Sequence, residues 1–142
     1  MYPVTIEPDG DGWMASFPDI PEALTGGDTR EEALINARDA LVTAFEFYFE
    51  DARPVPLPSV IEGAELVAVP LSVWGKVLLL NAMLEQRLPQ AELARRMGTR
   101  KQEVQRLVDL RHPTKIDTLA QAMAAMGKQL VLSASALPGR AP

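Results

Sequence analysis

Hydrophobic residues recur with two different periods along this chain, and the change of period fixes where sheet gives way to helix. Tyr2, Val4 and Ile6 alternate with Thr5 and Glu7, the period of two that a half-buried strand requires. Pro8-Asp9-Gly10-Asp11-Gly12 follows, dense in turn residues, and Trp13, Ala15 and Phe17 then alternate with Met14 and Ser16. The two runs predict an antiparallel hairpin with a loop longer than two residues. Pro18 and Pro21 close the second strand, because proline cannot continue a ladder. Leu24-Thr25 offers a third, short strand before Gly26-Gly27.

A helical period comes next. Thr29-Arg30-Glu31-Glu32 is a capping box, a hydroxyl at the N-cap with a carboxylate three residues on. Asp28, Glu31 and Glu32 suit the positive end of the helix dipole. Leu34, Ala37, Leu41, Phe45 and Tyr48 share one stripe, and Glu32, Asn36, Asp39, Thr43, Glu46 and Glu50 the opposite one. One face therefore buries against the sheet. Pro54, Pro56 and Pro58 impose an extended segment. Ala64 to Leu71, with Leu66, Val67 and Val69, predicts a last strand. Strand, strand, short strand, helix, strand is a small α+β layer with one helix on a sheet face, and it spans residues 1–71.

The remainder reads as mostly helical over 72–133, followed by a loose tail over 134–142. Ser72 to Arg87 predicts a helix with Ser72 as N-cap and Val73, Val77, Leu80 and Leu84 as its apolar stripe. Pro89 suits the first turn of the next helix. Gln90 to Leu107 carries the signature of a helix-turn-helix. Ala94 is the small residue that lets two helices approach, Gly98 supplies the turn, and Leu93, Met97, Val104 and Leu107 sit at the locking offsets. Thr99 is expected as N-cap of the second helix. Arg100, Lys101, Gln102, Gln105 and Arg106 then remain exposed, the side-chain types that read guanine and adenine in a major groove. Thr114 to Met126 predicts a further amphipathic helix with Ile116, Leu119, Ala120 and Met123 on one stripe, ended by Gly127. Gln129 to Ser133 predicts a short strand with no partner in its own half, and pairing with a second copy would satisfy its edge.

Charge divides the chain at the same place. The whole carries −5, yet residues 1–71 hold 3 Arg against 14 Asp and Glu, a net −11, and residues 72–142 hold 11 Lys and Arg against 5 Asp and Glu, a net +6. The acidic part repels nucleic acid and the basic part meets phosphate, which predicts two partners. Cysteine is absent, excluding disulfides and thiolate metal sites. Neither a secretory leader nor an apolar run of membrane-spanning length is visible, which fits the cytoplasm. Asp9, Asp11, Asp19, Glu22 and Asp28 read as solvated loop carboxylates rather than a metal site, since Ile20 stands where an EF-hand loop from Asp9 needs Glu. His112 is the only histidine, and no nucleophile elbow or phosphate-binding glycine loop occurs. No catalytic residue and no cofactor are expected.

Residues 1–71 resemble the HicB antitoxin domain. The resemblance rests on Phe17-Pro18-Asp19-Ile20-Pro21, on Gly26-Gly27-Asp28-Thr29, on Glu31-Glu32-Ala33, and on the prolines before the last strand. Glu22-Ala23 replaces the family's usual Gly-Cys. Residues 88–111 are similar to a phage-repressor helix-turn-helix, through Gln90-Ala91-Glu92-Leu93-Ala94 and Gly98-Thr99. The resemblance implies a partial RNase H-like fold fused to a DNA-binding domain. It implies an antitoxin that neutralises a HicA-like, basic, RNA-cleaving toxin and represses its own operon on operator DNA as a homodimer or larger homo-oligomer. It places Lys101, Gln102 and Arg106 where bases are read and Gln90 at a phosphate, with Arg95, Arg96 and Lys115 as further phosphate contacts. Charge and exposure select Asp9, Asp11, Trp13 and Asp19 for the toxin. The alternatives are a stand-alone repressor with an acidic ligand-sensing domain and a carboxylate-dependent nuclease delivered to DNA.

Overall fold

The computed structural model describes residues 1–136. Strands β1 (Tyr2–Asp9), β2 (Gly12–Ser16) and β3 (Leu24–Gly27) precede helix α1 (Arg30–Glu50) and strand β4 (Glu65–Val67). Helices α2 (Leu71–Glu85), α3 (Gln90–Met97), α4 (Lys101–Leu107) and α5 (Ile116–Ala125) complete the chain. The strands form one antiparallel sheet in the order β3-β2-β1-β4, so the fold class is α+β as the sequence predicts.

Alternation places the core. Tyr2, Val4, Ala15 and Phe17 are buried and face Ala33, Ala37, Leu41, Phe45 and Tyr48 of α1. The Thr29 hydroxyl accepts from the Glu32 N–H at 3.1 Å, so the predicted cap forms. A Cβ on Gly27 would lie 2.6 Å from the Ala33 nitrogen, so only glycine lets α1 sit this close to β3. The hairpin turn is tighter than expected. Pro8 and Asp9 stay in register with Trp13 and Gly12, leaving only Gly10-Asp11 as the loop, and Gly10 supplies the positive φ (+59°) that so short a turn needs.

The proline-rich segment is a strap fastened by side chains. Tyr2 donates its hydroxyl to the Pro56 carbonyl at 2.8 Å. The Asn81 side chain on α2 accepts from the Val55 N–H and donates to the Val55 carbonyl, at 2.8 and 3.0 Å, as a neighbouring strand would. Val55 itself is buried.

Several element ends differ from expectation. The last strand stops at Val67, and Leu71 already belongs to α2. Pro70, not Ser72, precedes that helix, and its carbonyl accepts the first turn's Trp74 N–H at 2.9 Å. Thr99 does not cap α4. Its N–H donates to the Ala94 carbonyl at 2.9 Å, closing α3, and Arg100 stands at the N-cap without a side-chain capping bond. Gln129 to Ser133 forms no strand in the single chain, and Val131 and Leu132 are exposed. Residues 137–142 of the expected tail lie outside the described residues.

Helix α2 is apolar on two faces. Val73, Val77 and Leu80 join the core under the sheet, together with Trp74 and Leu84. Leu79, Ala82 and Met83 join a second core with Leu93, Ala94, Val104, Leu107, Leu119, Ala122 and Met123. A helix buried on both sides must be hydrophobic nearly all round. The two clusters are therefore bridged by one rigid element.

Candidate nucleic-acid interface and partner surface

Helices α3 and α4 are held as the residue pattern demands. Leu93 and Val104 are fully buried, Ala94 and Leu107 nearly so, and Met97 packs beside them. Gly98 adopts φ +68° and closes α3, its N–H donating to the Arg95 carbonyl at 3.2 Å. Arg100, Lys101, Gln102, Gln105 and Arg106 are all exposed. Gln102, Gln105, Arg106 and Asp109 line a shallow polar depression. Arg106 donates to Glu103 at 3.0 Å. That pair is exposed, so its guanidinium exchanges partners at little cost.

Around this face lie further cations. Gln90 begins α3 and is half-buried. Glu92 receives Arg95 at 2.6 Å and Arg96 at 3.3 Å. Those hydrogen bonds and charges hold the Glu92 carboxyl down to about 2. A groove of about 320 Å³ between α4 and α5 is lined by Thr99, Arg106, Thr114, Lys115 and Thr118, with the Glu103 carboxylate, paired to Arg106, also on its wall. Hydroxyls and cations in one groove suit phosphate oxygens.

One important residue escaped the sequence reading. Lys76 of α2 is buried, and its ammonium donates to the carbonyls of Arg106 (3.0 Å), Asp109 (2.7 Å) and His112. Burial pushes its pKa below the ordinary lysine value, and the Asp109 charge partly opposes that shift. Its only sequence signal is a charge inside an otherwise apolar helix.

The acidic residues selected for a protein partner are not gathered in one place. Asp9 and Asp11 are exposed at the hairpin tip, with Trp13 half-buried beside them opposite Pro8. Asp19 follows β2 at its other end, roughly 13–20 Å away at ~3.3 Å per residue. Its carboxylate accepts the Ser59 N–H at 2.8 Å and the Ser59 hydroxyl, fastening the strap. Glu22 is likewise engaged. Tyr48 donates to it at 2.7 Å, which lowers the carboxyl, and burial followed by this bond pushes the phenol up to about 12. Arg53 lies over the Tyr48 ring at 4.2 Å. Among the described residues no group of three or more carboxylates and histidines is placed to hold a metal ion.

Residues 1–78 match the family model described as the HicB-like antitoxin of a bacterial toxin-antitoxin system. The chain belongs to the HicB-like antitoxin family. It is 63% identical to Antitoxin HicB 2 of Photorhabdus laumondii, over 94% of this chain and 95% of that one. It is 55% identical to Antitoxin HicB of Escherichia coli K12, over 92% and 96%, and 39% identical to Antitoxin HicB of Pseudomonas fluorescens, over 92% and 90%. The family assignment makes the chain an antitoxin with a toxin as partner. These matches run through the helical half as well, so the joined arrangement of sheet layer and helices is shared. Among the described residues no helix is long and apolar enough to cross a membrane.

Proposed function

We propose that this antitoxin neutralises a small, basic, HicA-like RNA-cleaving toxin with its sheet layer and represses its own operon through α3 and α4, acting as a helix-turn-helix in the cytoplasm. The charge partition carries the reading. A net −11 in residues 1–71 steers a phosphate-binding protein toward the sheet layer, and a net +6 in the rest favours DNA. On the toxin side the proposal assigns direct contact to Asp9, Asp11 and Trp13 at the hairpin tip. Asp19, bonded to Ser59, supports the strap and adds charge.

On the DNA side, Lys101, Gln102, Gln105 and Arg106 present donors and acceptors to base edges, and Gln90, Arg100, Arg95, Arg96 and Lys115 meet phosphates. A homodimer would read two half-sites about 34 Å apart. The exposed apolar segment at Gln129–Ser133 supplies an edge for that dimer. Removing residues 129–142 is expected to give monomers by sedimentation, and a persisting dimer rejects this route.

The test of the whole reading is co-expression with the adjacent gene. A basic protein should co-purify with the wild-type chain and be lost with Asp9→Lys plus Asp11→Lys. The same chain should retard duplex DNA from its own promoter region. Co-purification unaffected by charge reversal removes the hairpin assignment, and absence of any partner removes the toxin reading.

A further inference from the structure

The buried ammonium of Lys76 sits where the sheet layer and the proposed reading helix meet. Its three N–H donors find three carbonyls, so the group is saturated and its orientation is set by all of them together. The Arg106 carbonyl belongs to the last turn of α4, and those of Asp109 and His112 to the turn that follows. The Arg106 and Asp109 carbonyls also accept the Asp109 and His112 N–H groups, at 3.3 and 3.1 Å, and the Arg106 carbonyl lies at the negative end of the α4 dipole. A buried cation there anchors the helix end from beneath.

The same turn is gripped from a second side. Leu110 packs against the core under the sheet. Val108, Asp109, Leu110 and Arg111 line one cleft with Glu46, Phe49 and Glu50 from the end of α1. The segment after α4 is thus fixed by α2 through Lys76 and by α1 through Leu110. Both fixings come from helices, α2 and α1, that pack into the core under the sheet. One of the three residues whose carbonyls Lys76 holds is Arg106, whose exposed side chain belongs to the proposed reading face.

We propose that Lys76 is a positioning residue for DNA reading: it sets the placement of α4 relative to the sheet layer, so that specificity depends on a residue that never touches DNA. The inference rests on α3 and α4 binding DNA. Base readout tolerates displacements of only about half an ångström, whereas phosphate attraction is long-ranged and tolerant. Loosening the anchor should therefore erase sequence preference before it erases affinity.

The test uses the full chain with a duplex selected by the wild-type protein from a randomised pool, and a random duplex of equal length. Lys76→Met keeps most of the side chain's length and apolar stem but removes the donors. The expected result is at least a tenfold loss on the selected duplex, less than a twofold loss on the random one, and an unchanged salt dependence. Leu110→Ala loosens the same turn from the other side and should give the same split. It carries the test if Lys76→Met does not fold. Folded variants that keep the wild-type preference overturn the proposal, and so does an equal loss on both duplexes. A wild-type chain that selects no duplex overturns the DNA reading and this inference together.

Discussion

Two turns in this chain make a matched pair of opposite sign. Helix α1 ends with Ala52 at φ +49°, its N–H donating to Phe49 at 3.3 Å while the Arg53 N–H donates to Tyr48 at 2.9 Å. Helix α3 ends with Gly98 at φ +68°, closed by the same pattern of bonds from Gly98 to Arg95 and from Thr99 to Ala94. Both residues are exposed, and a Cβ built on Gly98 meets nothing within 4 Å. A non-glycine residue in this region costs about 1–2 kcal/mol of backbone strain. Glycine costs about 0.4–1 kcal/mol more entropy on folding. The balance predicts that Ala52→Gly stabilises by about 0.5–1 kcal/mol and that Gly98→Ala destabilises by a similar amount.

The signs are what make the pair decisive. If unfolded-state entropy outweighed backbone strain, every glycine introduced would destabilise and every glycine removed would stabilise, the reverse at both sites. Urea denaturation of the full chain reads the difference. At a slope near 2 kcal/mol per molar, each substitution should move the midpoint by roughly 0.3–0.5 M in opposite directions, with the slope unchanged. Because α2 belongs to both cores, one transition is expected. An Ala52→Gly midpoint below wild type, or a Gly98→Ala midpoint above it, refutes the reasoning.

Other perturbations test other parts of the molecule. Leu93 is fully buried between α3 and α4, so Leu93→Ala should cost about 2–5 kcal/mol and be seen as a lowered urea midpoint. Asn81→Ala leaves both Val55 backbone groups without their partner and should cost about 2–4 kcal/mol, measured the same way, with faster hydrogen exchange at the Val55 amide. Arg106→Ala should cost about 1–3 kcal/mol on the selected duplex and relax preference at one base step in fluorescence anisotropy. The folded Glu92 carboxyl titrates at about 2 against an ordinary 4.5. Its stabilising share is therefore complete above pH 4.5 and is lost as pH falls through about 2, which an NMR titration of its side-chain carboxyl will show.

What the sequence made legible were features written within one or two turns of chain. Thr29 and Glu32 are three residues apart, and their cap forms. Tyr2, Val4, Ala15 and Phe17 announce their shared face by alternation, and all four are buried. Gly98 announces a turn by lacking a side chain. The expected caps miss by two residues at α2, Ser72 for Pro70, and by one at α4, Thr99 for Arg100, where the Thr99 N–H is already spent on Ala94. Such commitments are invisible until the preceding helix is built.

The residues that join distant segments carry no such signature. Asp19 looked free because its partner Ser59 is 40 residues away. Lys76 reaches carbonyls 30 to 36 residues on, and backbone carbonyls look alike in every sequence. Helix α2 gave one stripe to the eye because a pattern search asks for one face, and a helix shared by two cores has no polar face to contrast with it. Charge misleads here in a consistent direction. Asp19, Glu22 and Lys76 each fix one segment against another, and counting charge treated Asp19 as surface available to a partner. A carboxylate or ammonium already engaged by internal hydrogen bonds offers a partner fewer bonds than its charge suggests. On the proposed reading, the −11 of the sheet layer would steer a basic toxin, while the contacts that hold it would come from groups still open, such as Asp9 and Asp11, exposed at the hairpin tip.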